Sequence, residues 1–119
     1  MKYSIIISNR NDTVQLSNTI RSAIEEMTAV TEPGEIVICD NSDPDFRELV
    51  YSVIPRQYRK DGTVRVFELD EPCFTKARHI AAQNANGEYL FCVDSHVLFG
   101  RDCLKNSIEF MDEMNFKGF

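Results

Sequence analysis

Three short stretches constrain this chain most. YSIIIS at 3–8, EIVIC at 35–39 and EYLFCV at 88–93 are apolar almost without interruption. A strand with one wet face alternates apolar and polar residues. A run without alternation marks a strand covered on both faces, and such strands belong to parallel sheets with helices above and below. A fourth run, TVRVFEL at 63–69, alternates more and is expected nearer an edge. The expected core is Ile5, Ile6, Ile7, Ile36, Val37, Ile38, Leu90, Phe91 and Val93.

Helical patterns fill the gaps. Leu16, Ile20, Ile24 and Met27 recur at helical spacing, with Asp12 or Thr13 as N-cap, and Thr31-Glu32-Pro33-Gly34 stops that helix. Phe46, Leu49, Val50 and Val53 mark one side of a second helix ended by Pro55. TKARHIAAQNAN is alanine-rich, with Asn86-Gly87 as its stop. Leu104, Ile108 and Met111 share a face of the last helix. The order β-α-β-α-β-α-β-α implies an open α/β sheet, mostly parallel, with right-handed crossovers and helices on both faces.

A length of 119 residues fits one domain, and the net charge of −6 argues against a general nucleic-acid binder, because phosphates would be repelled. No apolar run reaches the length of a membrane span, and SIIIS near the start reads as a strand rather than a leader. Cys39, Cys73, Cys92 and Cys103 form no CxxC pair. Cys39 and Cys92 fall inside apolar runs as small hydrophobes, so reduced thiols and a cytoplasmic setting are expected.

In sheets of this kind ligands bind beyond the carboxyl ends of the strands. Here those ends read Ser8-Asn9-Arg10-Asn11-Asp12, Asp40-Asn41-Ser42-Asp43, Asp70-Glu71-Pro72 and Asp94-Ser95-His96. Each carries a carboxylate. The first turn lacks the GxGxxG of a dinucleotide site, and no GxxxxGK[ST] loop occurs. A phosphate held here therefore needs another partner, and a divalent cation is the obvious one. Hard cations take oxygen ligands, and manganese also accepts imidazole. Asp94-x-His96 at a strand end places both side chains near one point if the backbone turns there.

YSIIISNRND, EIVICDNSD and FTKARHIAAQNANGEYLFCVDSH, in this order and followed by a helix, resemble the nucleotide-binding half of GT-A glycosyltransferases of family 2. The resemblance covers essentially residues 1–119. It implies a donor half that binds a nucleotide-diphosphate sugar, most readily a UDP-sugar, through Mn2+ or Mg2+, for transfer to an acceptor. By the same resemblance Asp40 accepts a hydrogen bond from the base. Arg78, in Ala77-Arg78, stands near the base or diphosphate. Asp94 contacts ribose or metal, His96 binds the metal, and Asn9 and Arg10 line the base pocket. Asp-Ser-His is similar to the variant in polypeptide N-acetylgalactosaminyltransferases.

Two departures stand out. His79 replaces the asparagine that often follows Ala-Arg, and the sequence stops at 115–119, about where another sheet strand would begin. The acceptor half and its catalytic carboxylate are thus expected on further sequence or on a partner chain. No catalytic residue is assigned. Two function classes stay open: a glycosyltransferase, and a module that binds a nucleotide sugar without turnover. A receiver-like signalling domain fits less well, because its acidic cluster would follow the first strand. Three of the site residues also have a bland reading: Asp94 as a turn former, Asp40 as a cap, Arg78 as a solvated helix residue.

Overall fold

The computed structural model describes residues 1–114; the expected further strand at 115–119 lies outside them. The elements follow the expected alternation: β1 Tyr3–Asn9, α1 Thr13–Thr28, β2 Gly34–Asp40, α2 Pro44–Ser52, α3 Arg56–Lys60, β3 Val64–Glu68, α4 Phe74–Gln83, β4 Tyr89–Asp94 and α5 Cys103–Glu113. The sheet order is β3-β2-β1-β4, and all three pairings are parallel.

The order explains where the helices go. From β1 the chain steps to β2 and then β3 in one direction, and α1 and α2 pack on one face. It then jumps back to β4 on the other side of β1. With one handedness for every crossover, the returning helix must cover the opposite face. Accordingly α4 packs there, with Ala77 and Ala81 against Ile6, Val37 and Cys39. Ile5, Ile7, Ile36 and Ile38 face α1, α2 and α5 through Leu16, Ile20, Val50, Leu104 and Ile108. Successive residues of β1 and β2 thus point into two different cores, which is why their runs do not alternate. Each fully buried side chain of this size contributes roughly 1.5–3 kcal/mol.

Gly87 is needed for a close approach. A Cβ there would stand 2.3 Å from the Tyr3 carbonyl carbon, and its N–H donates to Ser4 Oγ at 2.8 Å. The helix before it ends earlier than expected, with Asn84 rather than Asn86-Gly87 at its C-cap.

Two expectations need correction, and one helix was not foreseen. First, β4 is an edge strand of the described sheet, and Leu90 is 44% exposed rather than in the core. Because α4 lies over β1 and β2, none of the described helices covers the β4 face carrying Leu90 and Cys92, and Cys92 is exposed too. Phe91 and Val93 point the other way and pack against the larger core while partly buried. Second, Phe46 and Leu49 are exposed; of the apolar side expected for α2 only Val50 is fully buried, with Val53 packed beside it. The helix not foreseen is α3, whose single turn after Pro55 had no apolar periodicity to reveal it. The edge position of β3 agrees with its alternating sequence.

Candidate functional site

The strand order reverses beside β1, and β1 and β4 stay paired down to Ser8 and Asp94, so the loops that follow them stand side by side at the usual ligand position in such sheets. A cleft of about 350 Å³ occupies that place, lined by the ends of both strands: Ser8, Asn9, Arg10 and Asp12 from β1, and Asp94, Ser95 and His96 from β4. Asn41 and Phe74 complete the wall.

The β1 and β2 ends form one stitched unit. Asp40 Oδ1 accepts from Asn9 Nδ2 at 3.1 Å and from Ser42 Oγ at 2.6 Å. Ser42 Oγ accepts in turn from the Asn11 N–H at 2.9 Å. Asn11 and Asp43 exchange hydrogen bonds, Nδ2 to Oδ2 at 3.0 Å and Asp43 N–H to Oδ1 at 2.9 Å. Arg10 donates to Asn41 O at 2.6 Å and Asp43 Oδ1 at 2.8 Å. These donors hold the Asp43 carboxyl below its ordinary value, Asn11 first and Arg10 second. Asn11 pays for the tight turn with φ of 54°. Asp40 itself is 0% exposed and lies under the cleft wall rather than on it. Its Oδ2 has no hydrogen bond and faces Arg47 Nε at 3.5 Å.

On the β4 side, Asp94 pairs with Arg78 at 3.1 Å, and the Arg78 guanidinium lies over the Phe74 ring at 4.5 Å. Arg78 reaches the cleft through these two partners, both of which line it. Ser95 Oγ donates to Asp12 Oδ2 at 3.3 Å and joins the two strand ends. Asp12 holds the N-cap position of α1 without capping it through its side chain.

Of the six residues the sequence nominates, Asn9, Arg10, Asp94 and His96 line one cleft, Arg78 flanks it and Asp40 supports it from beneath. Phe74 and Asp12 were not nominated; an exposed aromatic at the start of a helix after a strand end is the signal for Phe74. Among the described residues, no group of three His, Cys, Asp or Glu could hold a metal alone. Asp94 and His96 still fit an ion that takes its other ligands from phosphate and water, since one or two protein ligands are common in such sites. Half of the Asp94 side chain is open to the cleft, and its bond to Arg78 is one a cation would compete for.

Other proteins resemble this chain in sequence and in fold. An uncharacterized glycosyltransferase of Rickettsia felis is 30% identical over 107 residues, covering 87% of this chain and 17% of its own. The poly(ribitol-phosphate) beta-N-acetylglucosaminyltransferase TarS of Staphylococcus aureus is 26% identical over 115 residues, covering 95% and 19%. The crystal structure of TarS 1-349 superposes with a TM-score of 0.75 at 25% identity, over 97% of this chain and 33% of that one. TarS 1-349 has also been solved in complex with UDP-GlcNAc. The mannosyltransferase PcManGT of Pyrobaculum calidifontis, solved with GDP-Man and Mn2+, shares the fold with a TM-score of 0.70 at 18% identity, over 92% and 32%. The chain therefore spans less than a fifth of the length of the relatives it matches by sequence. The sequence pattern of glycosyl transferase family 2 matches residues 4–119, nearly the whole chain, and with the switch-point cleft and the shared fold it settles the lineage: the chain belongs to glycosyl transferase family 2.

Proposed function

We propose that residues 1–119 form the donor-binding part of a glycosyltransferase, which holds a nucleotide-diphosphate sugar in the β1/β4 cleft with a divalent ion at Asp94 and His96. The observation that carries this reading is the convergence of Asn9, Arg10, Asp94 and His96 on one crevice at the switch point. Asn9 and Arg10 flank the base, with Asp40 fixing Asn9 from beneath. Arg78 moves from Asp94 toward the diphosphate once a cation takes its place. A bound Mn2+ or Mg2+ would offset the charge that develops on the leaving diphosphate. The UDP-GlcNAc complex of TarS supports a UDP-sugar as donor. Acceptor binding falls to sequence beyond these residues or to a partner chain, as the greater length of the relatives suggests. A nucleotide-sugar donor and four free cysteines suit a cytoplasmic setting; among the described residues no helix is long and apolar enough to cross a membrane.

Calorimetric titration with UDP and GDP, each in Mn2+ and in chelator, tests the proposal. The expected result is UDP binding at least about tenfold tighter with Mn2+, a difference of ~1.4 kcal/mol. Equal affinity in Mn2+ and chelator, or no binding of either nucleotide, contradicts it.

A further inference from the structure

The segment that follows β4 hangs from a line of polar side chains on α1. Thr19 Oγ1 donates to Ser95 O at 2.8 Å and accepts from the Val97 N–H at 3.0 Å. Ser22 Oγ accepts from the Phe99 N–H at 2.7 Å. The Glu26 carboxylate accepts from the N–H groups of Asp102 and Leu104, both at 3.2 Å. Positions 19, 22 and 26 follow one another at helical spacing, so one face of α1 carries all three rungs.

The Thr19 rung differs from the other two. The groups it ties belong to the two peptide units on either side of His96. Clamping both planes fixes the direction in which the His96 side chain leaves the backbone, toward the cleft it lines. Thr19 is 0% exposed, so water cannot replace its hydroxyl. We propose that Thr19 is a positioning residue for the ion site, holding His96 where its imidazole and Asp94 can share one cation. This rests on the reading of the cleft given above. Groups that orient a metal ligand from behind typically govern metal affinity by 10- to 100-fold.

The test compares the Mn2+-dependent gain in UDP affinity, measured by calorimetry in Mn2+ and in chelator, across variants of the chain. Thr19→Val deletes the hydroxyl at nearly constant volume, Thr19→Ser keeps it, and Ser22→Ala breaks the neighbouring rung. The expected result is a gain reduced about tenfold in Thr19→Val, restored in Thr19→Ser and kept in Ser22→Ala, with affinity in chelator unchanged throughout. A gain that survives Thr19→Val, or that Ser22→Ala reduces equally, overturns the proposal, as does an equal loss of affinity in chelator. Should the valine variant not fold, Thr19→Ala makes the same deletion and is read the same way. A wild-type chain with no Mn2+ gain overturns the reading of the cleft itself, whereas a wild-type gain that persists in Thr19→Val overturns only the role of Thr19.

Discussion

His96 and Asp94 interrupt an apolar stretch because the strand leaves the core there. Tyr89, Phe91 and Val93 point into the larger core, and the next residues emerge at the crevice between β1 and β4. Asp94 was legible because a carboxylate ends an apolar run. The burial of Asp40 was not, since its sequence context looks much the same; what hides it is the cluster of Asn9, Ser42 and Arg47 that gathers around it only in three dimensions. The consequence at this scale is a separation of roles. His96→Ala should leave the fold intact, because the hydrogen bonds described for the loop run through its backbone and Ser95, and should remove most of the Mn2+-dependent gain in UDP affinity. Calorimetry checks it: an unchanged gain would reduce Asp-Ser-His to a turn. Asp40→Asn should lower stability as well as affinity, by roughly 1.5–3 kcal/mol for a lost hydrogen bond to a charged group.

At the scale of elements, the runs of β1 and β2 were readable because both faces of each strand are covered, and the alternation of β3 announced an edge. The equally apolar run of β4 misled, since none of the described helices covers its second face. In β4 no local pattern reveals that one face is left uncovered by the described elements. The far end of the sheet is held by Glu35, 1% exposed, which accepts from Ser4 Oγ at 2.7 Å, the Asn86 N–H at 2.6 Å and Arg65 Nη2 at 2.7 Å. Burial alone would raise its carboxyl, but Ser4, Asn86 and Arg65 together bring it below its ordinary value of 4.5. A depressed carboxyl stabilises the fold fully above that value and loses the contribution as pH falls through the lower, folded one. Glu35→Gln should therefore cost roughly 1.5–3 kcal/mol at neutral pH, and the gap to wild type should narrow in acid. Urea unfolding from about pH 7 to about pH 3 checks this; a gap that stays constant would show that the charge of Glu35 is not what matters.

For the molecule as a whole, strand order decides the position of the site. A sheet ordered β3-β2-β1-β4 has its crevice between β1 and β4, and the polar strand ends at that crevice are those the sequence marks with Asn9-Arg10 and Asp94-x-His96. Only the alternation of elements was visible in the sequence. The place of β4 beside β1, and with it the support of the β4 end by Thr19, Ser22 and Glu26, depends on contacts more than 70 residues apart. The most direct test of the account is a crystal structure of the chain grown with UDP and Mn2+, with manganese located by its anomalous scattering. The expected result is one manganese peak bound by Asp94, His96 and the diphosphate oxygens, with the base beside Asn9 and Arg10. A diphosphate bound outside the β1/β4 cleft, or a manganese peak that touches neither Asp94 nor His96, would contradict it.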